Sequence, residues 1–339
     1  MIACQEHLPG WLSLPQARVL WLVEPEQKRA AKVAAQFGIP RHTPRLEDAL
    51  ADAEVQVVDI CAPSGLHARM TRQALQAGKH VLCEKPMALS AAEAFQLVAL
   101  ARQGQRKLMI GHHLRFDPVA LALVQALQES DRGQFHAVRA QWLRKRRLPA
   151  RPGFVRRELS GGGVLLDLGV HMVDLAWWVA GCPQPVAASA SLNNRLGRRG
   201  DVQGEWGSWD SRTLDVEDFA WGQLRFEGGL LVSFELSWLA LQPEEEFQRV
   251  QWFGDRWGAL WPAGRLFAHR RGRPWEVQLA PTHVEKPHRL VVQRFAQCVL
   301  QGEAEPVPPE QIATVTAMIE ALYRSARQGN EVPVELPRS

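Results

Sequence analysis

The first third of the chain alternates between short apolar runs and segments with helical spacing, and no hairpin signal separates them. Continuous apolar runs of this length are typical of strands that are covered on both faces. The runs that we interpret as strands are residues 18–24, 55–62, 80–85 and 107–111. Strands that alternate with helices pair in parallel through crossover connections. The sequence therefore predicts a doubly wound parallel α/β sheet over residues 1–117, followed by a second domain over residues 118–339.

Polar residues stand where these predicted strands end, and ligands of doubly wound sheets bind beyond the carboxyl ends of the strands. Glu24 ends the first run. An acid at this place can accept hydrogen bonds from the ribose hydroxyls of a dinucleotide, and it would repel a 2′-phosphate. Alternatively, Glu24 is an acid at a helix N-terminus, where the helix dipole favours it. The other polar strand ends are residues 63–67, Glu84, Lys85 and 112–115.

A second polar pattern lies within residues 158–180, a segment that is predicted to contain a helix. Asp167, His171 and Asp174 are spaced at i, i+4 and i+7, which places them on one helix face. The rest of this helix is apolar, and a buried carboxylate costs free energy unless it is paired. A carboxylate that holds the tautomer of a neighbouring histidine can serve a proton relay. A helix cap beside an ordinary core histidine is the alternative.

The composition argues against several classes of protein. A net charge of +4 over 339 residues is weak for a nucleic-acid-binding protein, which usually has a dense basic face. The five cysteines are scattered without metal-ligand spacing, so we expect no metal site and a reducing compartment. The sequence shows neither a leader pattern nor a run of about 18 apolar residues, which favours a cytoplasmic protein that has no membrane partner.

Four motifs occur in the order and at the spacing of a known family. They are APSGLH at 62–67, AGKHVLCEKPMALS at 77–90, GHHLRFDP at 111–118 and GGVLLDLGVH at 162–171. On these motifs the chain resembles the glucose–fructose oxidoreductase and inositol dehydrogenase (Gfo/Idh/MocA) family from residue 2 to the last helix. The resemblance implies a Rossmann domain followed by an α+β domain with a large, mostly antiparallel sheet. The open face of that sheet would form a homo-dimer or homo-tetramer.

The resemblance also implies an activity. It is the NAD(P)-dependent oxidation or reduction of a carbinol carbon in a sugar, cyclitol or related small molecule. By motif, Lys85 would be the catalytic lysine, Asp167 and His171 would be the acid/base pair beside it, and Asp174 would support the site. This fits the chemistry, because oxidising a carbinol requires a base for the hydroxyl proton and a positive charge beside the developing alkoxide.

The same resemblance implies the residues that contact the cofactor. Glu24 would bind the ribose and favour NAD over NADP. The cofactor cleft would be lined by Ala62, Pro63 and His67, and the strand end that presents Lys85 would be held by Glu84 and Pro86. Arg115 would lie near both cofactor and substrate.

The sequence departs from the family pattern in two places. The family begins with a strand and a G-x-G-x-x-G/A fingerprint, and this sequence shows neither. Ala3 could be the last position of that fingerprint. We expect either a truncated or wrongly started form of an ordinary enzyme, which we favour, or a real short form that binds dinucleotide poorly. In addition, His113 stands where the family often has asparagine, which could alter substrate contacts.

The second half carries less specific signals. The basic run at 144–147 could bind an anionic substrate, although a solvated strand end is the interpretation that we favour. Residues 197–215 are polar and glycine-rich and contain Trp206. We expect substrate contacts from the sheet face and from the loops near Trp206. Two alternatives to a dehydrogenase remain open, namely a non-catalytic dinucleotide or sugar sensor and a redox-neutral glycoside hydrolase that uses tightly held NAD.

Overall fold

The computed structural model describes residues 2–280 and 286–337; Met1, which would lie within the expected fingerprint, is outside them. Two π-helical turns span Ala3–His7 and Leu165–Gly169, and two 3₁₀ turns span His113–Phe116 and Glu227–Gly229. The α-helices are α1 (Leu8–Leu12), α2 (Gln27–Phe37), α3 (Leu46–Ala51), α4 (Ser64–Gln76), α5 (Ala91–Gln103), α6 (Pro118–Glu129), α7 (Pro152–Val155), α8 (Arg157–Ser160), α9 (Val170–Val179), α10 (Pro287–Gln301) and α11 (Pro309–Gln328).

The strands of the first domain pair in parallel, as predicted. They are β1 (Trp21–Val23), β2 (Arg41–Thr43), β3 (Val57–Ile60), β4 (His80–Cys83) and β5 (Leu108–Ile110). They form two sheets, β1-β2 and β3-β4-β5. The strand predicted at 18–24 is shorter than expected and half-exposed, so the expectation that it is covered on both faces was wrong. Strand β2 was not predicted, because it contains no apolar run.

The second domain is built on one nine-stranded sheet. Its strands are β6 (Phe135–Arg144), β7 (Pro185–Asn193), β8 (Phe219–Phe226), β9 (Leu231–Ser237), β10 (Glu246–Gly254), β11 (Trp257–Trp261), β12 (Arg265–Arg270), β13 (Arg273–Gln278) and β14 (Val332–Pro333). The order is β13-β12-β11-β10-β6-β9-β8-β7-β14, and among the described strands of this sheet β6 and β9 pair in parallel while the other neighbours pair antiparallel. The predicted hairpin at 218–239 is confirmed as β8 and β9.

The segment 158–180, which was predicted to contain the helix of Asp167, His171 and Asp174, is not a continuous α-helix. It consists of α8, a glycine turn, the π turn Leu165–Gly169 and α9. Buried Glu217 fixes the start of the π turn, because its Oε1 accepts hydrogen bonds from the backbone N–H groups of Gly163 and Leu165 at 2.9 and 3.1 Å. A Cβ at Gly163 would lie 2.0 Å from the carbonyl oxygen of Glu217, so this approach requires glycine.

The last two helices return to the first domain, as predicted. Val291, Val292 and Phe295 of α10 and Ile312 of α11 belong to the same buried cluster as the strands β3, β4 and β5. We propose that the two domains divide between residues 117 and 118, where α6 begins. The helices α10 and α11 follow the second domain in the chain and pack on the first, so they connect the two domains.

Residues 157–179 together form a segment that is long and apolar enough to cross a membrane, whereas no such segment was expected from the sequence. Within the protein, 83% of its most apolar window is buried. It therefore has the surroundings of a core helix.

Candidate active site

Lys85 lies directly after β4 and reaches the second domain. Its Nζ donates hydrogen bonds to Oδ1 of Asp167 at 2.8 Å and to the backbone carbonyl oxygen of the same residue at 2.9 Å. The side chain of Lys85 is 16% exposed. The predicted pair of residues is therefore brought together across the domain boundary, with the ammonium group still open to the crevice.

Asp167 is held by more than Lys85. Its second oxygen accepts a hydrogen bond from Nε1 of buried Trp238 at 3.0 Å, and it lies 4.0 Å from a terminal nitrogen of Arg144. Burial raises the pKa of Asp167, but the charges of Lys85 and Arg144 and the hydrogen bonds outweigh it, and the pKa falls below its ordinary value. Asp167 is therefore a fixed carboxylate.

His171 is buried at the start of α9. Its Nδ1 has no hydrogen-bond partner in the described part of the chain. Its ring packs edge-on against His113, with the ring centroids 4.5 Å apart, and lies 6.2 Å from the ring of Trp142. Burial and the positive charge of Lys85 hold the pKa of His171 well below its ordinary value. The imidazole is therefore neutral at neutral pH and can accept a proton.

The expected hydrogen bond between Asp167 and His171 is not formed in the described residues, so the prediction that the carboxylate fixes the imidazole tautomer was wrong. The reason is local. Asp167 lies in the π turn, whereas His171 lies in α9. The π turn interrupts the continuous α-helix that the i, i+4 spacing assumed. The carboxylate turns to Lys85 and Trp238 instead.

Asp174 and Arg115 form a buried ion pair. The guanidinium donates to both oxygens of Asp174 at 2.6 to 3.2 Å, and it also bonds to Gln311 of α11. Nδ1 of His112 lies 3.0 Å from Asp174, although its direction does not suit a hydrogen bond. Burial raises the pKa of Asp174, but Arg115 and His112 lower it far below its usual range. This ion pair connects α9 to the first domain. The contact with the cofactor that was expected of Arg115 stays a prediction.

The residues expected to line the cofactor cleft lie around two strand ends. Nδ1 and Nε2 of buried His67 lie 2.7 and 2.8 Å from the carbonyl oxygens of Pro86 and Ala62, respectively. Pro63 precedes α4 at its N-terminus. His67 therefore joins the ends of β3 and β4, and its side chain braces the cleft.

Glu24 follows β1 and is half-buried. Its Oε1 accepts hydrogen bonds from Arg29 at 2.6 Å and from the backbone N–H of Glu26 at 3.0 Å. The hydrogen bond from Arg29 lowers the pKa of Glu24. The ion pair supports the helix-terminus alternative, but it leaves the second oxygen open to the ribose contact, which stays a prediction.

Sequence reasoning missed a buried charge cluster behind Lys85. Nδ1 of His7 lies 2.8 Å from Oδ2 of Asp59, and its Nε2 lies 3.0 Å from Oε1 of Glu84. Burial lowers the pKa of His7, but Asp59 and Glu84 raise it well above its ordinary value. Burial raises the pKa of Glu84, but His7 lowers it to about 2. The signal was Asp59, a carboxylate in an apolar strand that needs a partner.

The ligand atoms of His7, Asp59 and Cys61 lie within 4.8 Å of one another, which is a geometry that can bind a metal. However, burial raises the pKa of the Cys61 thiol, and Asp59 already accepts hydrogen bonds from His7 and from Nε1 of Trp11. These contacts favour the ion pair over a metal centre. The ion pairs of His7 with Asp59 and Glu84 hold the side chain of Glu84, which directly precedes Lys85 in the sequence.

The comparisons with known proteins agree with this architecture. Residues 1–112 match the profile of the oxidoreductase family with an NAD-binding Rossmann fold, and residues 120–257 match the GFO/IDH/MocA C-terminal domain. D-glucoside 3-dehydrogenase of Escherichia coli K12 is 30% identical over 277 residues, which cover 81% of this chain and 78% of that protein. D-xylose 1-dehydrogenase (NADP(+)) 2 of Haloferax volcanii is 30% identical, and the match covers 91% and 90% of the two chains.

The structure of levoglucosan dehydrogenase in complex with NADH and levoglucosan shares the fold. Its TM-score is 0.84 at 20% identity, and the match covers 99% of this chain and 97% of that one. Sequence relatives of this class are sugar dehydrogenases and reductases. The chain, with its Rossmann domain and its large mixed sheet, belongs to the Gfo/Idh/MocA oxidoreductase family.

Proposed function

We propose that the protein is an NAD-dependent oxidoreductase that transfers a hydride between nicotinamide and a carbinol carbon of a sugar, cyclitol or related small molecule. The observation that carries this proposal is the Lys85–Asp167 pair beside a buried, neutral His171 whose Nδ1 lacks a hydrogen-bond partner among the described residues. A buried polar atom that has no hydrogen-bond partner costs free energy, so its retention supports a functional role for the imidazole.

The residues at the strand ends fit the nicotinamide part of a dinucleotide. Ala62, Pro63 and Pro86 would border the nicotinamide beside Lys85, and Glu24 would meet the adenosine ribose. The glycine fingerprint that would cradle the pyrophosphate is not in this sequence. When bound, the cofactor supplies the hydride acceptor.

The chain's own residues would handle the proton. His171 would accept the hydroxyl proton of the substrate on its imidazole as the carbonyl forms. The Nζ of Lys85 would stabilise the developing alkoxide through its positive charge. Asp167 would keep Lys85 in place without receiving the proton, because its pKa is lowered. In the direction of reduction, each of these transfers would run in reverse.

We infer NAD rather than NADP from Glu24, since its carboxylate would repel a 2′-phosphate. The ion pair with Arg29 weakens this repulsion without removing the acid. The relatives include proteins of both cofactors, because the structure of levoglucosan dehydrogenase contains NADH and the D-xylose 1-dehydrogenase is named for NADP(+).

We further propose a cytoplasmic homo-dimer or homo-tetramer that associates through the open face of the nine-stranded sheet. Trp221 of β8 is 51% exposed, and Trp275 of β13 is 40% exposed. Large apolar side chains that stay in water are typical of interaction surfaces. Light scattering should give two or four times the chain mass of 38.0 kDa, and a mass of one chain would contradict this assembly.

The test of the function is a calorimetric titration with NAD⁺, followed by a spectrophotometric screen for NADH with aldoses, cyclitols and glycosides. We expect NAD⁺ binding and NADH formation with at least one sugar or cyclitol. Binding of NAD⁺ without NADH formation would favour the sensor, and release of a sugar from a glycoside without net NADH would favour the hydrolase. Failure to bind NAD⁺ would contradict the proposal.

A further inference from the structure

Arg144, at the end of β6, is held in an unusual position beside the candidate site. The basic run 144–147 was interpreted as a solvated strand end, but the Arg144 side chain is only 12% exposed. Its Cζ lies 4.9 Å from the ring centroid of Trp142 and 4.9 Å from that of Trp206. The guanidinium is therefore packed against two indoles rather than surrounded by water.

Glu246 of β10 fixes the orientation of this guanidinium. Its Oε1 accepts hydrogen bonds from Nε of Arg144 at 3.0 Å and from Nε1 of Trp142 at 2.6 Å. Burial raises the pKa of Glu246, but the hydrogen bonds from Trp142 and Arg144 lower it to about 2, so the carboxylate stays charged. Arg144 is thus anchored at its Nε, and its terminal nitrogens are turned away from this anchor.

The terminal nitrogens of Arg144 have no hydrogen-bond acceptor in the described part of the chain. The nearest carboxylate contact is Oδ2 of Asp167, 4.0 Å from Nη1. A guanidinium carries five N–H donors in one plane, and only the Nε–H is used here. Fixed donors beside the Lys85–Asp167 pair are suited to bind oxygen atoms of a substrate.

Trp206 provides the second half of this surface. It lies in the loop between β7 and β8 and is 48% exposed. The backbone N–H of Glu205 donates to the carbonyl oxygen of Arg146 at 2.7 Å, and Nε of Arg147 donates to Glu205 at 2.9 Å. These contacts hold the indole over Arg144 with much of its surface in water. Trp206 is separated from Asp167 by the width of the guanidinium, so it would contact a part of the substrate away from the reacting carbon.

The charges around Arg144 argue for a neutral ligand. The cations Lys85, Arg144 and Arg147 are matched by the anions Asp167, Glu246 and Glu205. A site for a carboxylate or phosphate would need an excess of positive charge. Planar donors next to an exposed indole instead match a sugar ring, which offers neighbouring hydroxyl oxygens at its edge and C–H groups on its face.

We propose that Arg144 and Trp206 form a subsite for a second, neutral sugar ring, so that the protein prefers glycosides to free monosaccharides. This rests on the proposed function, since the first ring would occupy the Lys85–His171 site. Arg144 donates to hydroxyl oxygens of the second ring, and Trp206 stacks on its apolar face.

The test compares matched sugars on wild type and variants in the presence of NAD⁺. The pairs are glucose with cellobiose, galactose with lactose and xylose with xylobiose. Binding is measured by saturation-transfer NMR titration and oxidation by NADH absorbance. We expect at least one disaccharide to bind more tightly than its monosaccharide. Trp206→Ala should raise the KM or the dissociation constant of that disaccharide about fivefold more than that of the monosaccharide, which corresponds to an aromatic stacking contribution.

Two further variants keep this test specific. Trp206→Phe keeps an aromatic face and should restore part of the preference. Leu300→Ala removes an exposed apolar side chain near the end of α10, outside the proposed subsite and outside the sheet, and it should leave the preference unchanged. Circular dichroism confirms that each variant is folded.

The subsite is refuted if no disaccharide binds better than its monosaccharide to the wild type, or if Trp206→Ala leaves the preference intact. The outcome for the catalytic proposal is separate. Binding that depends on Trp206 without NADH formation supports the subsite and contradicts the dehydrogenase. NADH formation that is insensitive to Trp206 supports the dehydrogenase and overturns the subsite.

Discussion

Nζ of Lys85 lies 2.8 Å from Oδ1 of Asp167, although 82 positions separate the two residues in the sequence. Lys85 ends a strand of the first domain, and Asp167 lies in the π turn of the second. The domain interface therefore determines the geometry of this pair. Anything that shifts α9 relative to β4 should affect the site, even without touching either side chain.

The carboxylate of Asp167 should be needed to position Lys85. Asp167→Asn keeps the shape but removes the negative charge, so we expect kcat with the best sugar to fall about 100-fold, a loss typical of misplaced reacting groups, with a smaller change in KM. The measurement is steady-state NADH formation. Asp201→Asn, which alters an exposed ion pair with Arg199, is the matched control and should behave as wild type. An equal loss in both variants would refute the role of Asp167.

The protonation of His171 should appear in the pH profile of oxidation. The base must be neutral, and burial holds the pKa of His171 well below its ordinary value of 6.5. Activity should therefore be kept as the pH falls through 6.5 and be lost only at lower pH. The measurement is kcat/KM against pH for wild type and for His171→Gln. His171→Gln should lose most of the activity, and the fall of kcat/KM at low pH should disappear from its profile. If the same fall remains in His171→Gln, it belongs to the titration of another group.

The cofactor preference should depend on Glu24. Calorimetry should give tighter binding of NAD⁺ than of NADP⁺ to the wild type. Glu24→Gln should lower the ratio of the NADP⁺ dissociation constant to the NAD⁺ dissociation constant by about tenfold, or about 1.4 kcal/mol, because it removes the repulsion of the 2′-phosphate. Glu26→Gln, an exposed acid nearby, serves as the control. An unchanged ratio in Glu24→Gln would show that Glu24 acts only at the terminus of α2.

The buried cluster of His7 and Glu84 should make stability depend on pH. The pKa of His7 is raised above 6.5, so its contribution is complete below pH 6.5 and is lost as the pH rises through the folded-state value. The pKa of Glu84 is lowered from 4.5 to about 2, so its contribution is complete above pH 4.5 and is lost as the pH falls toward 2. The combined contribution should therefore be greatest between pH 4.5 and pH 6.5.

Thermal unfolding at about pH 5.5 and about pH 8.5 tests this cluster. At the lower pH, the free energy of unfolding of His7→Gln should be about 3–5 kcal/mol lower than that of wild type, since the carboxylates of Asp59 and Glu84 lose their charged partner. Between the lower and the higher pH, the free energy of unfolding should fall less in His7→Gln than in wild type. His42→Gln changes an exposed histidine of β2 and should keep the wild-type profile. A His7→Gln profile that runs parallel to wild type would contradict a buried imidazolium.

The sequence predicted the parts of the fold that follow from local patterns. Apolar runs gave β3, β4 and β5, and the alternating residues of 218–239 gave the hairpin of β8 and β9. The π turn within residues 158–180 could not be predicted, because it depends on the hydrogen bonds of Glu217, which lies 54 positions after Gly163 and 52 after Leu165.

The candidate site was likewise predicted only in part from the sequence. Motifs identified Lys85, Asp167 and His171, but they could not reveal the contacts of the Asp167 carboxylate with Lys85 and Trp238, which lie 82 and 71 positions away in the sequence. Arg144 was assigned to solvent because its neighbours in the sequence are basic. Its burial follows from Trp206 and Glu246, which are far away in the chain.

The account depends most directly on Lys85, whose charge would stabilise the alkoxide while the hydride passes to nicotinamide. The decisive measurement is NADH formation from NAD⁺ and the best sugar by wild type, by Lys85→Met and by the control Lys32→Met, which changes an exposed lysine of α2. We expect NADH formation by wild type and the control, and a rate at least about 100-fold lower in Lys85→Met with NAD⁺ binding retained. A Lys85→Met variant that binds NAD⁺ and forms NADH at the wild-type rate would contradict the proposed site.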